Sequence, residues 1–295
     1  MKRKNRKKWW LAVALVAAIG VGIYQLPLKK YTSTLKEEIA TFGNDSTFAY
    51  KRFEHIFDNK KAVCRVTADY PVSGPSHLKD AIKGVLYDLL GQEGNIEEED
   101  IPTAFSNNPE LANKQLKLYV ENVGMSLTDE VTGLREKIDD DDFRNDMTFE
   151  WAVDFTVNCE TPKYVTYNVS WLTYRGGLHE LAYDSGITFR KADGVLMSWD
   201  DVLADEHYMQ DIIKSGLKKY FNVTSDEELL TQLTLCEDFE HLPLPDAPIF
   251  EKDSLAFIYQ FYEISAWGMG QPKFKVAYED LAPQMKSEAL ELARQ

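Results

Sequence analysis

The chain has 295 residues, of which 44% are hydrophobic, so it can bury a substantial core in one large domain or two small ones. Its formal net charge is −15, which argues against nucleic acid as a partner because phosphate-binding surfaces are basic. The first eight residues, MKRKNRKK, hold six Lys or Arg, and the remainder holds 27 basic against 48 acidic side chains. An acidic body of this kind attracts basic partners.

An apolar segment, residues 9–26, follows the basic cluster and reads WWLAVALVAAIGVGIYQL. As a helix it spans roughly 27 Å, about the thickness of the hydrocarbon core of a membrane. We therefore expect a single-pass membrane anchor with a cytoplasmic N-terminus, because basic residues flank its first end and Trp9 and Trp10 suit the interface. The alternative is a secretory signal peptide cleaved near Gly20. In both cases the body is exported, to the periplasm or the extracellular side.

The chain is predicted to consist of an N-terminal segment followed by two larger parts. Residues 1–30 are the basic tail and anchor or signal segment, and residues 31–145 are predicted to form a short helical stalk plus a hairpin-helix subdomain. Residues 146–295 are predicted to form a sheet domain. Both parts are long enough to contribute to one core, so a shared core remains an alternative to two separate domains.

A β-hairpin followed by a helix is predicted between residues 47 and 91. In the second arm of the hairpin, after the turn DNKK, apolar residues alternate with polar ones. The predicted apolar face consists of Ala62, Cys64, Val66, Ala68 and Tyr70. Ser76 is the predicted N-cap of a helix over residues 77–90.

A longer helix is predicted from Pro109 to about residue 138, because Pro is favoured in the first turn of a helix. Gly124 and Gly133 lie inside this helix and are predicted to interrupt or kink it. The acidic run DDDDFRND ends it, and we interpret that run as a solvated linker near the predicted domain boundary.

The strongest pattern in the chain is the alternation of apolar and polar residues from Met147 to Cys159. It predicts a long antiparallel strand with one face in water, on which Glu150 and Asp154 lie. The opposite, core-facing side is predicted to hold Met147, Phe149, Trp151, Val153 and Phe155. Further strands are predicted over residues 165–171 and 181–190, and the turn KADG closes the last of them.

The final third of the sequence mixes short helices and strands. The stretch SWDDVL and residues 206–220 are predicted to be helical, and a hairpin is predicted over residues 249–264. A strand over residues 274–278 and an amphipathic helix over residues 279–294 complete the chain. The pattern as a whole predicts an α+β fold, an antiparallel sheet with helices packed on it, preceded by an N-terminal transmembrane or signal helix.

The three cysteines, Cys64, Cys159 and Cys236, leave at least one thiol unpaired within the chain because their number is odd. They form no CxxC motif and have no His at a metal-ligand spacing. We interpret them as small hydrophobic residues of the core rather than as a metal site.

A histidine turn lies between the predicted second and third strands of the sheet. Gly176 and Gly177 supply backbone conformations with positive φ, and His179 follows them. A general base at His179, oriented by Glu180 or Glu263, is one interpretation. However, the sequence contains neither Gly-x-Ser-x-Gly nor HExxH, and the other histidines are not at metal-ligand spacings. We therefore predict a hydrogen-bonded histidine that joins two hairpins, with no catalytic residue, no metal and no cofactor.

Three stretches of the second half carry a family resemblance: YVTYNVSWLTYRGGLH, GITFRKADGVLMSWDDVL and SLAFIYQFYEISAWGMGQPKFKVAYEDLAPQM. The positions that match are Tyr174, Gly176, Gly177, His179, Asp193, Gly194, Tyr262, Glu263, Ile264 and Gly270. On these residues, the region from about 150 to 290 resembles the RsiV-like exported domain of unknown function, which is shared by the lysozyme-sensing anti-sigma factor RsiV and the peptidoglycan deacetylase PdaC. Leu178 stands where that family has Ala, and Trp267 is bulkier than usual.

The resemblance implies the exported domain alone. In the deacetylase, hydrolysis belongs to a separate catalytic domain, for which this chain has no room. In the anti-sigma factor, a cytoplasmic part holds the sigma factor, whereas at most eight residues are expected on the cytoplasmic side here.

The expected function is therefore that of a bacterial, non-enzymatic domain that binds a cell-envelope ligand, either a peptidoglycan fragment or a basic protein such as lysozyme. The candidate ligand-binding residues are Tyr174, Gly176, Gly177, His179, Glu180, Tyr262, Glu263 and Trp267. One alternative is a hydrolase of cell-wall polymer that uses His179 and Glu263, and another is a structural envelope protein. We expect the glycine turn and the loop over residues 265–272 to lie on the same side of the sheet, because both follow strands that stop at glycines.

Overall fold

The computed structural model describes most of the chain that follows the predicted anchor. The described residues are 47–91, 104–138, 147–204, 209–240 and 242–294, and all of them belong to one compact unit. None of the helices within these ranges combines the length and the apolar character needed to cross a membrane. The predicted anchor or signal segment, the helical stalk and the acidic run before Met147 lie outside the described residues.

The predicted hairpin is confirmed. Strand β1 (Ala49–Asp58) pairs antiparallel with β2 (Ala62–Ser73) around the DNKK turn. The alternation of residue types in β2 determines which side packs, since its apolar face is almost wholly buried. Asp69 lies on the other, polar side and is nevertheless buried, because Arg52 donates two hydrogen bonds of 2.8 Å to its carboxylate. The backbone N–H of Val157 donates a third, also of 2.8 Å.

Two helices follow the hairpin. Helix α1 (Ser76–Leu90) starts one residue earlier than predicted, so that Pro75 is its N-cap and Ser76 lies in the first turn, where it makes no capping hydrogen bond. Helix α2 (Pro109–Arg135) is capped by Asn108, whose side chain accepts hydrogen bonds from the backbone N–H groups of Glu110 and Leu111.

Helix α2 is continuous through both of its glycines, so the predicted interruption is wrong. Gly124 has a packing role instead. A Cβ at this position would lie 2.2 Å from the ring of Phe57, which shows that the strand β1 and the helix approach each other only because the side chain is absent. Gly124 thus permits a close contact between the helix and the sheet.

Strands β3 (Phe149–Glu160), β4 (Tyr164–Tyr174) and β5 (Leu181–Arg190) form successive antiparallel pairs, as predicted. However, β2 pairs with β3 in parallel, so the sheet is mixed and has the order β1-β2-β3-β4-β5. The prediction of a wholly antiparallel sheet is wrong at this one junction. The chain leaves the end of β2 and returns through α1 and α2 to the other end of the sheet, which is the connection that parallel neighbours require.

The predicted strand register is confirmed. The side of the sheet beneath α1 and α2 is lined by Ala62, Cys64, Val66, Ala68, Tyr70, Phe149, Trp151, Val153, Phe155, Val165, Tyr167 and Val169, each at most 1% exposed. Met147, just before β3, is buried as well. Glu150 and Asp154 point to the opposite face and are partly exposed. Aromatic stacking strengthens the packed side, since the rings of Phe155 and Tyr167 lie 4.4 Å apart.

A second layer is built from the last third of the chain. It contains helices α3 (Trp199–Val202), α4 (Met209–Phe221) and α5 (Asp226–Gln232) and a small antiparallel sheet. The strands of that sheet are β6 (Ile249–Phe250), β7 (Ser254–Ile258) and β8 (Lys273–Ala277). The C-terminal segment forms two short helices, α6 (Tyr278–Leu281) and α7 (Ser287–Ala293), rather than the single predicted helix. Pro283 lies between them and cannot continue a helix.

The two layers meet at β4 and β5. The hydroxyls of Thr166 and Thr188 lie 2.9 Å apart in the contact, and both bond the backbone of Phe250 in β6, at 2.7 and 3.0 Å. A second hydrophobic core lies beneath this contact and includes Trp199, Leu217, Phe257, Tyr259 and Leu281. Strands from before and after residue 145 thus belong to the same five-stranded sheet.

The three cysteines form no disulfide with one another. Cys64 is part of the packed face of β2, and Cys159 and Cys236 are half-buried. Burial raises the pKa of both half-buried thiols, which keeps them protonated and poorly nucleophilic.

Candidate functional site

The glycine turn, residues 175–180, connects β4 to β5. Gly176 and Gly177 have φ values of 81° and 118°, in the left-handed region that favours glycine. The surroundings of Gly177 are open, so the backbone conformation and not a close contact is the reason for glycine there. The Tyr174 hydroxyl donates to the carbonyl of Gly177 at 3.2 Å and closes the turn. Leu178 at its tip is fully exposed.

Arg175 fixes the glycine turn to the helical layer. Its guanidinium forms an ion pair with Glu130 of α2 at 2.6 Å and lies 5.9 Å from the centre of the Phe149 ring. A planar cation held by a carboxylate and an aromatic face loses much of its freedom. The turn is therefore a rigid support for the residues that follow it.

The second element of the site is the 259–272 loop, which joins β7 to β8. The sequence predicted a strand ending at Tyr262-Glu263-Ile264, and this is wrong: β7 ends at Ile258, and residues 261–263 form a turn. Tyr262 has φ 64°, a conformation that non-glycine residues reach only at a cost. A glycine would have marked the turn in the sequence, but a tyrosine does not.

Glu263 and Gln260 hold this turn. A carboxylate oxygen of Glu263 accepts from the backbone N–H of Gln260 at 2.6 Å. The Gln260 side chain accepts from the backbone N–H of Asp184 at 3.2 Å and donates to its carbonyl at 2.9 Å. Gln260 thereby pairs with the edge strand β5 as another strand would, and it protects that edge. Nothing in the sequence pattern pointed to this role of Gln260.

The two loops meet at His179. The imidazole Nδ1 lies 2.8 Å from the carbonyl of Glu180, which can only accept, so Nδ1 carries the proton. Nε2 lies 3.2 Å from the hydroxyl of Tyr262, within hydrogen-bond distance. The ring stacks on Trp267 with centroids 4.4 Å apart and an angle of 15°. The predicted convergence of the two loops and the predicted structural bond of His179 are confirmed.

Trp267 contacts a second ring of the same chain besides that of His179. Phe261 also stacks on its indole, at 5.6 Å and 21°. The indole Nε1 is buried and has no hydrogen-bond partner within the described residues. Trp267 therefore stacks with His179 and Phe261, all three partly buried, whereas Tyr262 is exposed.

The carboxyl group of Glu263 has an altered acidity. Burial, opposed by the hydrogen bond from Gln260 and reinforced by the charge of Asp246, raises its pKa to about 7. The group is thus near its midpoint at neutral pH. A pKa near 7 suits a general base, but this carboxylate bonds the backbone of its own turn.

The geometry of an acid-base pair is not formed. Within the described ranges, the side-chain carboxylate of neither Glu180 nor Glu263 accepts a hydrogen bond from the imidazole of His179, which bonds the backbone carbonyl of Glu180 instead. Nor does the described structure bring together three His, Cys, Asp or Glu side chains that are able to hold a metal ion. Of the eight predicted site residues, the structure joins Tyr174, Gly176, Gly177, His179 and Glu180 in one turn and Tyr262, Glu263 and Trp267 in the facing loop.

A shallow groove of about 270 Å³ crosses the open face of the large sheet beside these loops. Ala152, Leu172 and Ala182 form its apolar floor. Asp154, Ser170 and Asp184 lie directly opposite one another on β3, β4 and β5 and form a polar row. The alternation pattern predicted that Asp154 faces solvent. The groove itself depends on how four strands pair, and that pairing could not be predicted from the sequence.

The charges in the groove are not fully matched. Arg65 pairs with Glu150 at 3.3 Å, and Asp184 forms an ion pair with Lys273. Asp154 has neither a hydrogen bond nor an ion pair to any described residue. The groove therefore presents one unmatched negative charge.

Comparison with known proteins places part of this architecture in a family. Residues 200–279 match the family described as protein of unknown function (DUF3298). The chain contains a DUF3298 domain. The DUF3298 match runs from α3 to the beginning of α6, so it includes the 259–272 loop, whereas the glycine turn precedes it.

Two solved DUF3298 structures share the fold. One, a family member from Bacteroides fragilis, has a TM-score of 0.58 and 16% sequence identity, with 82% of this chain and 94% of that chain covered. The other, from Pseudomonas aeruginosa, has a TM-score of 0.51 and 10% identity, with 83% and 97% covered. At these identities the likeness concerns the fold alone. No curated protein sequence matches the chain.

Proposed function

We propose that this chain is an exported, membrane-anchored, non-enzymatic protein whose body binds a cell-envelope ligand where the glycine turn meets the 259–272 loop. The observation that carries the proposal is a cluster of exposed apolar side chains on a rigid support. Leu178 is fully exposed, and Leu181 and Tyr262 are 44% and 45% exposed. Clusters of apolar side chains that remain exposed to solvent in a folded protein are typical of surfaces that bind a partner.

The environment of His179 supports binding over catalysis. Both of its nitrogens bond groups of the same chain, and its ring is stacked on Trp267. A general base needs a free nitrogen within reach of a substrate proton. This histidine instead locks the two loops together and so holds the apolar cluster in place.

Of the two expected ligands, a basic protein is favoured over a peptidoglycan fragment. A sugar-binding aromatic needs a free ring face, and Trp267 already stacks with two rings of its own chain. The body carries an excess of acidic residues, and Asp154 adds an unmatched charge in the adjoining groove. The resemblance to the RsiV-like domain makes lysozyme the first basic protein to test.

The anchor belongs to the same proposal, because residues 9–26 are long enough to span a bilayer and carry no strong cleavage site. Cell fractionation should recover the full-length chain from membranes. Recovery of only a soluble form that begins near Val21 would show instead that the segment is a signal peptide.

The ligand is tested by a pull-down of envelope components on residues 31–295, followed by titration with lysozyme and with soluble peptidoglycan fragments. The proposal predicts binding of the basic protein and no release of reducing sugar from peptidoglycan. Hydrolysis that the wild-type protein performs and His179→Ala loses, with the fold intact, would favour the hydrolase. Absence of any bound component would favour a structural envelope protein.

A further inference from the structure

The outward face of α2 carries an apolar stripe that the fold leaves in water. Leu111, Leu118 and Met125 are 50%, 58% and 52% exposed. They follow one another at intervals of seven residues, which is close to two helical turns, so they line up along one side of the helix. The opposite side of α2 packs on β1 and β2 and is buried. The stripe is therefore not part of the protein core.

Two charged residues flank Leu118 and Met125, the central pair of the stripe, one on each side along the helix. Lys114 lies in the N-terminal half of α2 and Asp129 in the C-terminal half, and both are exposed. Neither of them has an ion pair or a hydrogen bond from its side chain within the described residues. On a helical wheel both fall within about 40° of Leu118. The stripe thus reads, from its N-terminal end, apolar, basic, apolar, apolar, acidic.

This order is complementary to itself when it is reversed. If a second α2 is laid antiparallel with its Met125 opposite Leu118, its Asp129 falls opposite Lys114, because both pairs are centred between Glu121 and Asn122. A twofold axis at that point makes every contact occur twice. A parallel arrangement in register would place Lys114 against Lys114 and Asp129 against Asp129, which is unfavourable.

We propose that the outer face of α2 is a self-association surface, on which a second copy of this chain packs antiparallel with Leu118 opposite Met125 and Lys114 opposite Asp129. The surface is small compared with stable protein interfaces. We therefore expect a weak pair that forms when the local concentration is high. The inference does not depend on the ligand or on the function proposed above.

Cysteine cross-linking in the full chain tests the register. Two differently tagged copies, one with Leu118→Cys and one with Met125→Cys, are co-expressed and treated with a mild oxidant. Residues 118 and 125 of one helix are about 10.5 Å apart, so a disulfide between them has to join two copies. The expected result is a mixed dimer on non-reducing gels, with far less of the dimers of each single variant. Leu235→Cys, at a residue 53% exposed outside α2, is the matched control.

Charge reversal tests the pairing in the same cross-linking background. Lys114→Asp and Asp129→Lys should each lower the yield of the mixed dimer about two- to tenfold, as expected for the loss of two exposed ion pairs. The double variant should restore the yield, which a purely structural effect of either substitution would not do. Equal cross-linking of Leu118→Cys with itself, yields no higher than those of Leu235→Cys, or failure of the double variant to recover would overturn the proposal.

Discussion

Trp151 connects the sheet to the long helix at the level of a single side chain. It is 1% exposed, its ring stacks on Trp171 at 5.9 Å, and its Nε1 donates to the Tyr119 hydroxyl of α2 at 3.2 Å. We expect Trp151→Ala to lower the free energy of unfolding by about 3–5 kcal/mol, since it leaves a large cavity and removes the hydrogen bond that the Tyr119 hydroxyl accepts. Urea denaturation measures the change, with the exposed Leu118→Ala as the control. A loss below about 1 kcal/mol would contradict the assignment of Trp151 to the core.

Glu263 gives the stability a specific pH dependence. Its pKa is about 7 in the folded protein against an ordinary value of 4.5, so folding favours the protonated carboxyl. The stabilisation is complete below about pH 4.5 and is lost as the pH rises through 7, with a total on the order of 3 kcal/mol.

Glu263→Gln keeps an oxygen for the N–H of Gln260 and removes the titration. The difference in unfolding free energy between wild type and variant should therefore change between pH 4.5 and 7. Denaturation curves at several pH values measure it. A difference that stays constant over this range would show that the carboxyl is not held in its protonated form.

At the residue scale, the sequence predicted the glycine turn and its histidine but not the contacts that they make. The glycines of the turn and His179 were recognisable, because positive φ and a lone polar group after a strand are local features. The partner of His179 was not, because the turn at Tyr262 has no glycine to mark it. Leu178 was noted only as a departure from a family pattern, and its exposure became evident with the fold.

The two glycines of α2 offer a matched test at the scale of the element. A Cβ at Gly124 would overlap the Phe57 ring, whereas a Cβ at Gly133 would meet nothing within 4 Å. Gly124→Ala should destabilise the protein by about 1–3 kcal/mol through overpacking. Gly133→Ala should stabilise it by about 0.5–1 kcal/mol, because alanine is the better helix former.

Thermal unfolding of both variants measures these effects. If Gly124→Ala proved as stable as the wild type, the close approach of α2 to β1 would be in error. A loss of stability in Gly133→Ala would mean that the helix does not continue through that residue.

At the element scale, strands with strict alternation were predicted closely. Burial of one face of a sheet produces an alternation of apolar and polar residues that is visible within the strand's own sequence. Strand β5 was predicted with the same bounds that the structure shows. The parallel junction of β2 and β3 was not predicted, because partners separated by two helices leave no local signal. The C-terminal segment was predicted as one helix, whereas Pro283 lies between two short helices because proline cannot continue a helix.

At the scale of the whole molecule, the proposed function predicts that the acidic composition and the apolar cluster act at different stages of binding. Long-range charge affects mainly the association rate, and the short-range apolar contacts affect the dissociation rate. Glu263 contributes little to steering because its charge is partial near pH 7. Glu180 is the better candidate, and Glu180→Gln should slow association with lysozyme at low salt. Surface plasmon resonance at several salt concentrations measures this, and an association rate unaffected by salt would contradict it.

Calorimetric titration of lysozyme into residues 31–295 is the most direct test of binding at the glycine turn. Leu178→Ser removes an apolar side chain that makes no contribution to the core, and Leu111→Ser removes an exposed leucine from the first turn of α2. The wild type and Leu111→Ser should bind with the same Kd, and Leu178→Ser should bind at least about tenfold more weakly at an unchanged Tm. Equal affinities in all three proteins, or no binding by the wild type, would contradict the assignment of this surface to the ligand.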